Sequence, residues 1–236
     1  MALPKIQYPI FEFTMPSNKL PIKFRPFTVK EEKILLIAQE SSSANDKLTA
    51  MRQIVNNCCL NLDKDIGEMP SFDLEYAFLK IRSKSVGNMV ELKYKNNSDN
   101  KIYAFEVDLD DVEVTFTEGH SNIINLEGGI GLTMKYPTIE VVTEKLPEAS
   151  DNSANSLLQI VKECIDSVFD ADNVYKATEY TAEELDEFIE GITSKGFENI
   201  IEFFNTIPVL KHELKYTDST GTDQVITLLG IDDFFQ

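Results

Sequence analysis

The chain has 236 residues, 42% of them hydrophobic, with 15 Phe, no Trp and 3 Cys. That apolar content builds a core and excludes a wholly disordered chain, and a formal net charge of −18 disfavours nucleic acid and anionic membranes as partners. No stretch approaches the roughly 18–20 apolar residues of a transmembrane helix, Met1-Ala2-Leu3-Pro4-Lys5 lacks a secretory-signal pattern, and the odd cysteine count argues against a disulfide scaffold, so a cytosolic protein is expected.

The charge is uneven along the chain. Residues 1–100 hold 14 Lys/Arg against 12 Asp/Glu, whereas residues 101–236 hold 8 against 28. Solubility accounts for such an excess, and so does steering toward a basic partner surface.

From the N-terminus, Phe11, Phe13 and Met15 alternate with Glu12 and Thr14. A polar turn, Pro16-Ser17-Asn18-Lys19, leads to the alternating Ile22-Lys23-Phe24-Arg25, so a β-hairpin with one apolar face is expected, stopped by Pro26. Thr28 with Glu31 reads as a capping box for a helix over Val29–Glu40. A second helix runs from an N-cap at Asn45 to Asn61, with Leu48, Met51, Ile54, Val55 and Cys58 at helical spacing. A third covers Ser71–Lys84 with Leu74, Phe78 and Ile81 in one stripe, and Gly87-Asn88 ends it. Strands are predicted at Val90–Tyr94, Lys101–Val107 and Val112–Phe116, with Asn96 to Asn100 as a hairpin loop. Ile123–Leu126 and Ile130–Met134 flank a Gly128-Gly129 turn, which lacks the Lys-Ser/Thr of a phosphate loop. Tyr136-Pro137-Thr138 caps a short helix to Lys145, and the polar stretch Pro147–Ser153 is the linker candidate. There follow a helix over Ser156–Phe169, a short connection Tyr175–Tyr180, a helix to Glu190 opened by a Thr181–Glu184 capping box, and a helix over Ser194–Asn205. Strands Lys211–Tyr216 and Gln224–Leu228, joined at Asp218-Ser219-Thr220-Gly221, close the chain.

One pattern recurs. Glu91-Leu92-Lys93-Tyr94, a polar loop, a strand and Asp110-Asp111 are echoed by Glu213-Leu214-Lys215-Tyr216, a polar loop, a strand and Asp232-Asp233. Two such hairpins could pair with each other. A zinc ribbon would place a Cys-x-x-Cys knuckle in each loop, and neither Asn96–Asn100 nor Asp218–Thr222 contains a cysteine. A collapsed, metal-free ribbon is the expectation.

Few residues suggest chemistry. His120 and His212 have no Cys or His at ligand spacing, and the sequence holds no His-Glu-x-x-His and no Gly-x-Ser-x-Gly. Cys58 and Cys59 fall near the apolar stripe of a helix and read as inert core thiols. The acidic run from Asp108 to Glu113 lacks the spacing and glycine of a calcium loop. It and the run from Glu183 to Glu187 read as solvated faces rather than an acid/base pair. No cofactor, metal or small-molecule substrate is expected. The one basic–aromatic cluster, Lys23-Phe24-Arg25-Pro26-Phe27 followed by Lys30, and the terminal Phe234-Phe235 are the candidate protein interface, because Arg and aromatic residues concentrate at interface hot spots.

The segment from Ile22 to Lys33 resembles the hallmark of baseplate hub proteins of contractile-tailed, T-even-type phages, and Phe72 to Gly87 is similar to a second signature of that family. Leu132 to Thr138 and Gly230 to Phe235 extend the resemblance over nearly the whole chain. Relatives often carry Cys-x-x-Cys knuckles at the two hairpin loops, and this chain departs from that pattern. The resemblance implies a structural component of the baseplate hub that binds other tail proteins, first in the host cytoplasm and then in the virion tail baseplate. It implies no catalysis. An assembly factor absent from the mature particle is the alternative within the same biology. A carboxylate-based cell-wall hydrolase is the alternative of another class. The expected fold is α+β, with antiparallel β-hairpins, metal-free and zinc-ribbon-like, and packed α-helices. Residues 1–146 would form the hairpin, three-helix and β-rich part; residues 147–236 a helical part whose last hairpin returns to pair near residues 90–107.

Overall fold

The computed structural model describes residues 6–41, 43–145 and 154–234. The fold is mixed α+β, with small antiparallel sheets and helices and no closed barrel. The chain divides into two units, Met1–Thr115 with Val209–Gln236, and Phe116–Pro208. The boundaries between the units fall at residues 115/116 and 208/209. The linker candidate, Pro147–Ser153, lies outside the described residues. Among those described, no helix is long and apolar enough to cross a membrane.

The first unit opens with β1 (Phe11–Thr14) and β2 (Pro21–Phe24), paired in register Phe11↔Phe24 to Thr14↔Pro21. Alternation puts Phe13, Ile22 and Phe24 inside; each such burial contributes about 1.5–3 kcal/mol. The turn is tied to the third helix, where the Ser17 N–H donates to Asp73 at 3.0 Å. α1 (Val29–Glu40) starts at the predicted capping box: Thr28 N–H and Oγ1 both donate to Glu31. α2 (Ala44–Cys58) starts one residue before the predicted N-cap, after Ser43, which makes no side-chain cap bond. Cys58 and Cys59 are buried and free, and burial pushes their thiols up to about 11 and about 12. α3 (Ser71–Ser85) is buried on most of its circumference, including Phe72, Leu74, Phe78, Leu79 and Ile81. A helix buried nearly all round lies in the middle of a core, and its buried polar residues, Asp73, Lys80 and Ser83, are hydrogen-bonded there.

Within α3, the Lys80 ammonium is buried and donates to the carbonyls of Asp110 at 2.8 Å and Val112 at 3.1 Å, with the Glu113 carboxylate at 3.4 Å. It lies 4.9 Å from the centroid of the Tyr76 ring. The acidic run Asp108–Glu113 thus wraps the chain's own cation. Asp110 also accepts from Ser83 and Lys84, and Asp108 from Asn88. This run is a folded collar and not a freely solvated face.

β3 (Met89–Lys95) and β4 (Ile102–Asp108) form one two-stranded sheet. β5 (Glu113–Thr115) belongs to another, in the order β11–β10–β5, with β10 (Val209–Thr217) and β11 (Asp223–Leu229). The closing hairpin therefore pairs with residues 113–115 and not with 90–107. It meets β3–β4 through side chains: the Tyr216 ring packs 4.6 Å from Tyr103 and 5.4 Å from Phe105. The two echoed loops also meet. Asp99 accepts from Tyr103 Oη at 2.5 Å and from Ser219 Oγ at 2.8 Å, and the Ser219 N–H donates to Tyr103 Oη at 2.8 Å. Each loop is closed by an equivalent turn, in which Asn96 accepts from the Ser98 N–H and Asp218 from the Thr220 N–H. Backbone in the left-handed region follows, at Asn100 (φ 58°) and Gly221 (φ 84°). Hydrogen bonds stand where a ribbon would carry thiolates. Among the described residues, no three His, Cys, Asp or Glu side chains are grouped to hold a metal.

The second unit is a four-stranded antiparallel sheet, β6 (Ile123–Asn125), β7 (Gly131–Met134), β8 (Ile165–Phe169) and β9 (Val174–Lys176), in that order. It packs with α4 (Ala154–Cys164), α5 (Ala182–Glu190) and α6 (Ser194–Asn205) around Leu132, Val161, Cys164, Ile200 and Phe203. The helix expected over Ser156–Phe169 stops at Cys164, because Ile165 and Ser167 turn inward at period two and pair with β7. Part of the expected connection Tyr175–Tyr180 is strand β9. His120 is structural. Its ring nitrogens hydrogen-bond Thr206 Oγ1 at 2.9 Å and Tyr136 Oη at 3.1 Å, and its ring stacks on Tyr136 and Phe203. Burial lowers its pKa.

Candidate protein-docking surfaces

The basic–aromatic cluster leaves β2 and enters α1. Lys23 and Lys30 are exposed. Arg25 is held within the chain: it donates to both carboxylate oxygens of Glu31, at 3.1 and 3.3 Å, and to the carbonyls of Pro26 and Asn57. Glu31 is fully buried. Burial raises its pKa, but the hydrogen bonds from Arg25 and Thr28 outweigh this and hold it at about 2. Phe27 is half-buried, and its N–H donates to Ser85 Oγ.

Phe27 and the buried Phe234 line one groove of about 470 Å³ in the first unit, with Leu35, Leu36, Phe78 and Val86 on its walls and Glu32, Lys47, Arg82 and Asp232 among its polar residues. Of the six candidate residues, these two come together. Lys23, Arg25 and Lys30 do not line the groove, and Phe235 lies outside the described residues. The neighbouring face of α1 shows Leu36 56% and Ile37 59% exposed. The signal for it was in the sequence: five successive apolar residues, Ile34–Ala38, span more than one helical turn and cannot all face one core.

The second unit has a groove that the sequence reading missed. Ile130, Val168, Phe169, Tyr175, Tyr180, Leu185 and Phe188 line about 460 Å³. A hollow of about 290 Å³ adjoins it through Ile130 and Phe188 and adds Leu126 and Ile192. Sheet, turn and α5 each supply part of the lining, so no local motif announces it. Asp170, Glu184, Glu127 and Glu187 are the charged residues of the two linings. Asp170 is held below the usual carboxylate range by the backbone N–H of Asp172 and the hydroxyl of Tyr175. Aromatic and aliphatic walls with polar groups at the rim suit the reception of another protein's side chains.

The family model described as "T4 bacteriophage base plate protein" matches residues 8–236. The chain belongs to that family. No curated protein and no solved structure matches it. Membership of a base plate family implies interaction with other phage tail proteins, and both grooves lie within the matched region. The echoed hairpins, the Lys80 collar and the His120 stack also fall within it.

Proposed function

We propose that this base plate protein is a structural component of the baseplate hub of a contractile tail, and that it acts through protein–protein contacts during tail assembly. The family match over residues 8–236, which takes in both units, carries this reading. In this reading the chain is made in the host cytoplasm, joins other tail proteins, and stays in the virion baseplate as a non-enzymatic part. A charge of −18 favours protein partners over nucleic acid or membrane. The proposed contact residues are Lys23, Arg25, Phe27, Lys30, Phe234 and Phe235, with the exposed Lys23 and Lys30 as the patch open to a partner. Because Arg25 also pairs with the buried Glu31, the test uses exposed members.

Lys23→Glu with Lys30→Glu is expected to leave the chain folded by circular dichroism and to lower its incorporation into baseplates several-fold. Incorporation is read by quantitative mass spectrometry of purified particles and of assembly intermediates. Unchanged incorporation removes the patch. A chain found in intermediates but absent from finished particles is an assembly factor, and overturns the structural role. Lysis of peptidoglycan in a zymogram overturns the non-enzymatic reading.

A further inference from the structure

Residues 116–208 hold 18 Asp/Glu and 5 Lys/Arg, a net −13 of the chain's −18. The apolar groove of the second unit opens within this charge. Its walls stay uncovered: Tyr180 is 41% exposed and Ile130 38%. Asp170, Glu184, Glu127 and Glu187 are its charged lining residues, and no Lys or Arg stands among the described ones there. The site has two fixed parts. The Asp170 loop is locked by N–H donors from Asp172 and Asn173 and by the Tyr175 hydroxyl, each at 2.8 Å. Glu184 is locked by its capping box with Thr181. A preformed groove binds without the cost of ordering its walls.

We infer that this groove receives a basic segment of a partner protein, with a large apolar side chain inserted against Phe169, Tyr180 and Phe188 and flanking Lys or Arg residues over the carboxylates. The charge excludes the other occupants. A second copy of the chain would bring two rims of the same sign together, and a nucleic acid would be repelled. A neutral apolar segment would leave the carboxylates facing no cation. The groove is separate from the patch proposed for the first unit, and the binding is read without phage particles, so either reading can fail alone.

The chain has no Trp, so a Trp-bearing probe reports its own burial. The probe is the synthetic peptide Lys-Lys-Trp-Leu-Arg-Lys, titrated with the full-length protein. Saturable binding with a blue-shifted Trp emission is expected, weakened when salt is raised. The acidic counterpart Glu-Glu-Trp-Leu-Glu-Glu is expected not to bind. The anchorless Lys-Lys-Ala-Ala-Arg-Lys is expected not to compete. Glu127→Lys with Glu187→Lys, both at exposed positions, is expected to weaken the basic probe about tenfold or more. Tyr180→Ala, with unchanged circular dichroism, is expected to reduce the blue shift. Binding of the acidic peptide, equal competition by the anchorless one, or affinity unchanged in both variants overturns the inference, as does the absence of any blue shift.

Discussion

Glu75 lies on α3 beneath the closing turn of the chain, where the Ile231 N–H donates to its carboxylate and Asp232 stands close by. Burial first, and Asp232 second, push its pKa up from 4.5 to about 7, against the pull of that N–H. A carboxyl whose pKa is higher folded than unfolded binds its proton more tightly when folded. Its contribution to stability is whole below pH 4.5 and is lost as pH rises through about 7. Glu31 has the opposite sign: held at about 2, it stabilises above pH 4.5 and loses that contribution as pH falls through about 2. Glu75→Gln is therefore expected to flatten the fall of the urea midpoint between pH 4.5 and 7 and to raise the midpoint at pH 8 relative to the parent chain. Parallel pH profiles for the two proteins would rule out Glu75 as the titrating group. At this scale the sequence showed charges but not partners. Arg25 and Asp110 read as surface groups, and each is an internal tie because a residue far along the chain folds onto it.

Locally coded elements were legible, since the residues that fix them are neighbours. The Thr28–Glu31 and Thr181–Glu184 capping boxes form as read, and the polar loops at 96–100 and 218–222 close hairpins. The stretch after Cys164 was not legible. Val161, Cys164 and Val168 continue a helical stripe, while Ile165 and Ser167 alternate as a strand, so both periods fit one sequence. Pairing with β7 decides it, with Gly131 opposite Phe169 and Leu132 opposite Val168. The glycine in this pair has a definite use. A Cβ on Gly131 would lie 2.2 Å from Phe169 Cζ, so the ring covers the bare backbone of its partner strand. Gly131→Ala is expected to cost about 1–3 kcal/mol through overpacking, measured by urea denaturation. Added to Phe169→Ala, it is expected to cost markedly less than the sum of the two, because the clash is gone. Strict additivity would show that Phe169 is not what Gly131 accommodates. Phe169 also lines the second unit's groove, which is one reason that groove escaped the sequence: its wall depends on a strand whose identity is set across the sheet.

Over the whole molecule, the chain leaves the first unit after β5 and re-enters it at β10, and those two strands are neighbours. Thr115 and Val209 are directly paired in the antiparallel register. The 93 intervening residues, 116–208, thus depart from and return to adjacent points of one sheet. The repeated Glu-Leu-Lys-Tyr pattern hinted at this return, because a second hairpin late in the chain needed the first to pack on. Sequence did not reveal that β5, rather than β3–β4, receives its hydrogen bonds, because local alternation marks a strand without naming its partner far along the chain. A testable architecture follows. Strands paired at Thr115 and Val209 are close enough for a hairpin loop of about 2–5 residues. Replacing residues 116–208 by a short Asn-Gly-containing turn is expected to leave the first unit folded, with a cooperative urea transition and its Tyr103–Tyr216 contact visible as a nuclear Overhauser effect. The excised 116–208 segment carries its own core around Leu132, Cys164 and Phe203, and is expected to give a cooperative transition as well. If either piece unfolds without cooperativity, its core depends on the other, and the chain folds as one interdependent body rather than as one unit interrupted by another.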